Sequence, residues 1–250
     1  MTYGQQSDLT GRIALVTGAS RGIGAAAAIA LARAGAHIVA MARTQGGLEE
    51  LDDIIRGDTG NSATLIPQDL SDLEELDGLG PQLAEKFGHC DIFVGNAGIL
   101  GTLTPVAHAD PGEFERVMRV NVCANQRLIR TLDPLLRRSD AGRAVFVTSG
   151  IGVDLHMPYW GEYAASKGAL NAMVKSYAEE TCQTNLCVNL LNPGPVDTAM
   201  LARAFPGGAP MQDVKRAEDI APAFPALCDP RCERHGEIVR PDDIANLTIN

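Results

Sequence analysis

At 250 residues, with 45% hydrophobic but only 4% aromatic side chains and 26 glycines, the chain is long enough for one large domain with a sizeable core. A formal net charge of -10 and a pI near 4.9 count against nucleic acid or an anionic membrane as partner, since both ask for a basic surface. Residues 1–10 lack the basic start and apolar core of an export signal, so a soluble, cytoplasmic protein is expected.

No low-complexity linker divides the chain, and a single domain over residues 1–250 is expected, with its core between about 11 and 241. The longest small apolar run, Ala25 to Ala32, is far too short to span a membrane. Six cysteines lack paired metal-ligand spacing; no metal is expected, and the thiols read as reduced and mostly buried.

The first apolar run, Ile13 to Val16, leads directly into Thr17-Gly18-Ala19-Ser20-Arg21-Gly22-Ile23-Gly24 and then an alanine-rich helix. Glycines at this strand-to-helix turn let backbone N–H groups and a helix N-terminus approach a pyrophosphate, although the spacing differs from the general Gly-x-Gly-x-x-Gly fingerprint. A second strand, Ile38 to Met41, ends at Arg43 without the carboxylate that would bind the free ribose hydroxyls of NAD. Arg43 and Arg21 instead suit the 2′-phosphate of NADP, so NADP is expected to be preferred, with NAD possible.

Further strands are expected at Ala63 to Ile66, Ile92 to Val94, Ala144 to Val147, Leu186 to Leu191 and Glu237 to Val239. Helical periodicity marks Leu48 to Ile55, Leu73 to Phe87, Phe114 to Leu136 and Gly161 to Glu180. This alternation predicts an α/β fold, a doubly wound parallel sheet of about seven strands with helices on both faces. Its ligand crevice lies beyond the carboxyl ends of the strands.

Polar groups collect at those ends. Asp69 and Leu70 follow the third strand, where the Asp69 carboxylate suits an adenine amino group or the capping of the next helix. Asn96, Ala97 and Gly98 follow the fourth, Thr148 and Ser149 the fifth, and Pro193, Gly194, Val196 and Thr198 the sixth. On the helix beyond, Tyr163 and Lys167 stand four residues apart and share a face. An ammonium beside a phenol is expected to lower its pKa, making Tyr163 a proton donor and acceptor.

These motifs, in this order, resemble the short-chain dehydrogenase/reductase family over roughly Gly11 to Pro241. The resemblance implies a single-domain Rossmann fold and hydride transfer between a nicotinamide and a carbonyl or alcohol. It further implies a catalytic set of Asn121, Ser149, Tyr163 and Lys167, with Ser149 on the substrate oxygen and Asn121 holding a water in the proton relay. Gly18, Ser20, Arg21, Gly22, Ile23, Gly24, Arg43, Asp69, Leu70, Asn96, Ala97, Gly98, Tyr163, Lys167, Pro193, Gly194, Val196 and Thr198 would bind the cofactor. Pairing of the two long helices in a homodimer or homotetramer is implied as well. Ser149 precedes Tyr163 by fourteen positions, one more than usual, so a bulge in Val153 to Pro158 is expected.

Met157, Trp160, Met200, Leu201 and Phe205 suggest an apolar pocket, with residues 199–216 as a mobile substrate lid whose Gly207 and Gly208 form a hinge. A small or lipophilic carbonyl compound is the expected substrate. Reduction of a 3-oxoacyl group on a carrier protein is an alternative, with Arg137 and Arg138 as basic docking residues, although Glu179, Glu180 and the acidic chain oppose it. A non-catalytic NADP sensor and a nucleotide-sugar enzyme of the extended family are alternatives of other kinds.

Overall fold

The computed structural model describes residues 7–244. Seven parallel strands run in the order β3-β2-β1-β4-β5-β6-β7: β1 (Ile13–Thr17), β2 (His37–Ala42), β3 (Thr64–Pro67), β4 (Ile92–Gly95), β5 (Arg143–Val147), β6 (Cys187–Leu191) and β7 (Ile238–Val239). Chain direction reverses its lateral progress between β1 and β4, which opens the crevice expected of such sheets.

Strand residues are buried on both faces and sort by parity. Ala14, Val16, Val145 and Val147 face a core shared with α1 (Gly22–Arg33), α2 (Gln45–Thr59) and, late in the chain, Phe224 and Leu227. Leu15, Ala144 and Phe146 face the other core. That second core takes Leu76 from α3 (Leu73–Asp77) and Leu79 from α4 (Leu79–Phe87). It is completed by Leu128 from α6 (Ala124–Arg138) and Leu170 from α7 (Gly161–Thr181).

Two long helices anticipated from periodicity are interrupted. The segment Leu73 to Phe87 breaks at Gly78 because Pro81 has no N–H to give the Asp77 carbonyl. Thr131 Oγ1 donates to that carbonyl at 3.0 Å instead, and accepts from Gly80 N at 3.0 Å. The segment Phe114 to Leu136 starts earlier, as α5 (Pro111–Met118), with Asp110 accepting from Glu113 N and proline at the first turn. A π-helical turn over Arg119–Cys123 then separates α5 from α6 and carries Asn121.

The amino ends of β1, β4 and β5 are tied by Asp91, a buried carboxylate accepting from Ile13 N at 2.8 Å and Ser139 Oγ at 2.6 Å. Arg12 bridges it to Asp140, and Arg138 lines the same shallow pocket. Arg138 therefore lies at the end of the sheet opposite the crevice, and Arg137 is paired with Asp133 at 2.8 Å. That places Arg138 away from the crevice mouth, where an acidic carrier would have to dock. The cysteines are also less hidden than expected: Cys90, Cys228 and Cys232 are buried, while Cys123 and Cys182 are exposed. No helix among the described residues is long and apolar enough to cross a membrane.

Candidate active site

The crevice is built first by the turn from β1 into α1. Gly18 and Gly22 hold φ of 65° and 57°, a region costly for any residue with a Cβ. Gly24 lies so close beneath the turn that a Cβ there would be 2.2 Å from the Gly18 carbonyl oxygen. The turn is bolted to the end of β4: Asn96 Nδ2 donates to the Thr17 carbonyl at 2.8 Å, and Thr17 Oγ1 accepts from Asn96 N and Ala97 N, each at 3.1 Å. Asn96 is thus a brace for the loop, and Thr17 is a hub that pattern reading passed over. Its signal was modest, a hydroxyl as the last residue of a strand facing a neighbour's turn.

Arg21 and Arg43 are exposed at the same end of the sheet, as is fitting for an anion clamp. Arg43 Nη1 is 3.9 Å from Asp69 Oδ2. Asp69 Oδ1 accepts from Ser71 N and Ser71 Oγ, both at 2.8 Å; burial works against ionisation, but these bonds and the nearby arginines hold the carboxyl below its usual range. Asp69 so fixes a turn two residues ahead of α3 instead of capping the helix itself. The Leu70 and Ile23 side chains pack into the cores, which leaves their backbones for any contact in the crevice. Ser20 packs against Gly47, where a Cβ would come 2.9 Å from the serine Cβ.

Across the crevice, Gly194 holds φ of 71° and its N–H donates to Asn192 Oδ1 at 3.2 Å, which shapes the turn through Pro193. Val196 is buried with Ala26 and Ile220. Thr198 stands over the glycine loop, its Cγ2 3.4 Å from where a Gly22 Cβ would lie, and its Oγ1 caps α8 (Ala199–Ala204) by accepting from Leu201 N. Gly98 borders both Asn121 and Lys167, with a hypothetical Cβ 3.3 Å from Asn121 Oδ1 and 3.7 Å from Lys167 Nζ.

Ser149, Tyr163 and Lys167 converge beyond β5. Ser149 lies beside Tyr163, and its Oγ accepts from Ile151 N at 3.1 Å. Between Ser149 and Tyr163, where a bulge was expected, the chain makes a tight turn that begins before Val153. Gly150 O accepts from the N–H groups of Val153, Asp154 and Leu155, and Gly152 adopts φ of 87° close against Ala164. Thr148 points the other way, donating to Asn171 Oδ1 on α7. Asn171 lies one turn beyond Lys167, so successive turns of α7 grip successive residues of the β5 exit. The i, i+4 spacing was the available signal for Asn171.

The expected electrostatics are reversed. Lys167 Nζ donates to the Val147 carbonyl at 2.9 Å and sits 5.7 Å from the Tyr163 ring centroid, aimed at backbone instead of at the phenol oxygen. Burial pushes the Tyr163 phenol up to about 12, with the Ser149 hydrogen bond pulling the other way, and pushes Lys167 down to about 8. In this arrangement burial of the phenol outweighs the help that Ser149 gives to its ionised form. Between pH 8 and the usual 10.5 of lysine, the unfolded chain keeps a proton that folded Lys167 gives up, so this group makes stability rise with pH. Thermal midpoints across that window should climb more in the native protein than in Lys167→Met.

Asn121 is fully buried, with Oδ1 accepting from Ile99 N at 2.8 Å and Nδ2 donating to Ile99 O and Ser166 Oγ, each at 2.9 Å. Its side chain is spent on holding the loop after β4 against α7, and its carbonyl accepts from Asn125 Nδ2 at 2.9 Å. Above Tyr163, Leu100, Ile151, Trp160 and Ala204 form a small apolar cluster with Met157, Met200 and Phe205 packed on it. Residues 199–216 are anchored at both ends, by Thr198 and by Lys215, which pairs with Pro195 and Asp197. Among the described residues no group of three His, Cys, Asp or Glu could hold a metal.

The family described as short chain dehydrogenase matches residues 12–207. The uncharacterized oxidoreductase YciK of Escherichia coli is 39% identical over 227 residues, which is 90% of this chain and 89% of that protein. A short chain dehydrogenase structure from Shigella flexneri, complexed with NADP, superposes with a TM-score of 0.89 at 36% identity, covering 95% of this chain and 100% of that one. Another from Escherichia coli, complexed with NADPH, gives 0.88 at 38% identity, with 95% and 99% covered.

Proposed function

The chain belongs to the short-chain dehydrogenase family and is an NAD(P)-dependent oxidoreductase; on that premise we propose that it uses NADP to interconvert a small or lipophilic carbonyl compound and its alcohol. The observation that carries this reading is the convergence of Ser149 with the buried Tyr163 and Lys167 beyond β5, where Tyr163 forms part of an apolar cluster.

The bound dinucleotide would supply or accept the hydride at its nicotinamide. Everything else is done by the chain. The turn over Gly18 to Gly24 would hold the pyrophosphate on backbone N–H groups, and Thr198 faces it from the other wall. Arg21 and Arg43 would clamp the 2′-phosphate, consistent with two structural relatives complexed with NADP and NADPH. Val196, Pro193 and Gly194 would wall the nicotinamide, and Asn96, Ala97 and Gly98 would let the chain pass close beside it.

Ser149 would steady the substrate oxygen as charge develops, and Tyr163 would donate the proton to it. A phenol held at about 12 is fully protonated at neutral pH, which suits reduction; oxidation of an alcohol needs the phenolate and is favoured by alkali. Asn121 acts by position, locking the loop of Ile99 against the catalytic helix. Residues 199–216 would open to admit substrate, and α5, α6 and α7 would form the pairing surface of a homodimer or homotetramer.

Arg43→Asp should weaken NADPH binding by roughly tenfold or more while NADH binding holds or improves, because one arginine of the clamp becomes a repelling carboxylate. Titration of both nucleotides checks this, and unchanged NADPH affinity would reject the clamp. A panel of carbonyl compounds with NADPH and with NADH, followed by nicotinamide absorbance with Tyr163→Phe as control, tests the activity itself.

A further inference from the structure

Trp160 is the only tryptophan in the chain, and it stands between the catalytic tyrosine and the lid. Its ring is edge-on to Tyr163, centroids 5.8 Å apart at 74°, and tilted against Phe205, again 5.8 Å at 38°. The two neighbours are held very differently. Trp160 is fixed by the backbone on both sides: its carbonyl accepts the first bond of α7 from Ala164 N at 2.8 Å. The preceding residue, Tyr159, is the one described non-glycine residue at positive φ, 75°. That strained residue is pinned by Thr104 N donating to its carbonyl at 3.1 Å.

Phe205, by contrast, closes the short helix α8 and is followed by Gly207 and by Gly208 at φ of 99°. One aromatic ring is held by backbone on both sides, and the ring tilted against it belongs to a segment that runs on into two glycines. A site that already accommodates a six-membered aromatic ring against Trp160, next to Tyr163, has the shape and the quadrupole to accept another.

We propose that Trp160 is a stacking platform for the substrate, that Phe205 occupies it in the closed state, and that the substrate class is aryl or ring-conjugated carbonyl compounds whose ring displaces Phe205. This rests on the function proposed above and narrows it. With the ring on Trp160, a carbonyl attached to that ring would lie beside Tyr163, whose ring is 5.8 Å from that of the tryptophan. Met157, Met200 and Leu100 then pack around the remainder of the ligand.

The test compares acetophenone with cyclohexyl methyl ketone, which has the same heavy-atom skeleton without the aromatic ring. Affinities are read first from Trp160 emission in Tyr163→Phe, which keeps the ring contact and does not depend on turnover. The aryl ketone should bind about two- to tenfold more tightly, the range expected of a single aromatic pair. In turnover by the native protein with NADPH, the ratio of kcat/KM for aryl over cyclohexyl ketone should fall by the same factor in Trp160→Leu. General damage to the site would lower both substrates together and leave the ratio alone. Phe205→Ala should lower KM for the aryl ketone, because the resident ring no longer competes.

Equal affinities of the two ketones, or a ratio unmoved in Trp160→Leu, would overturn the platform while leaving the oxidoreductase reading intact. Turnover by Tyr163→Phe equal to that of the native protein would defeat the catalytic reading and leave the binding comparison standing.

Discussion

Replacing Tyr163 with phenylalanine is expected to reduce kcat by roughly 10²- to 10⁴-fold, the usual contribution of a positioned general acid, with fold and nucleotide affinity retained. The ring keeps its edge contact with Trp160, and Ser149 keeps its bond from Ile151 N, so only the transferable proton is removed. No neighbouring group is set up to replace it. Lys167 is engaged by the Val147 carbonyl, and both Asn121 amide hydrogens are committed to Ile99 and Ser166. Steady-state rates with a good ketone and NADPH, beside a nucleotide titration, measure the effect. Turnover within tenfold of the native enzyme would show that another group delivers the proton.

The same residue marks where the sequence stops being informative. That Tyr163 and Lys167 share a helix face follows from four-residue spacing, and their position beyond β5 follows from the strand-helix alternation. The pKa does not. It depends on how far the ammonium reaches and on what covers the phenol, and here Lys167 turns to Val147 O while Trp160, Ile151 and Ala204 close over the ring. Local spacing carries neither fact, because the covering residues come from three separate segments.

Strands were legible for a related reason. In a parallel sheet buried on both faces, each strand is a short unbroken apolar run, so Ile13–Thr17 and Arg143–Val147 differ from expectation by one residue. The helices failed where tertiary partners intervene: Thr131 substitutes for the N–H that Pro81 lacks, some fifty residues away, and Asn121 clasps Ile99 at a π turn. The early start of α5 was readable, since Asp110-Pro111 is a cap followed by an N1 proline. The bracing role of Asn96 was not, because it depends on the loop after β1, some eighty residues earlier in the chain, coming to lie against it.

Gly24→Ala is expected to cost at least roughly 100-fold in NADPH affinity, a far larger effect than the chemistry of one methyl group suggests. The added Cβ would stand 2.2 Å from the Gly18 carbonyl oxygen and 2.4 Å from Asn96 Nδ2, and the first of these is backbone that cannot swing away. Relief requires the glycine turn to lift from α1, which breaks the Asn96 bonds to Thr17 O and Gly18 O and turns the N–H groups away from the site proposed for the pyrophosphate. Such overpacking also costs about 1 to 3 kcal/mol of stability. Gly57→Ala makes the matched control, since a Cβ there meets nothing within 4 Å inside α2 and should stabilise by about 0.5 to 1 kcal/mol with no change in affinity. Nucleotide titration and thermal melts of the two variants separate the explanations: if Gly24→Ala melts lower but binds NADPH normally, the turn can relax without losing its ligand, and its fit to a pyrophosphate is not what the tight packing of Gly24 serves.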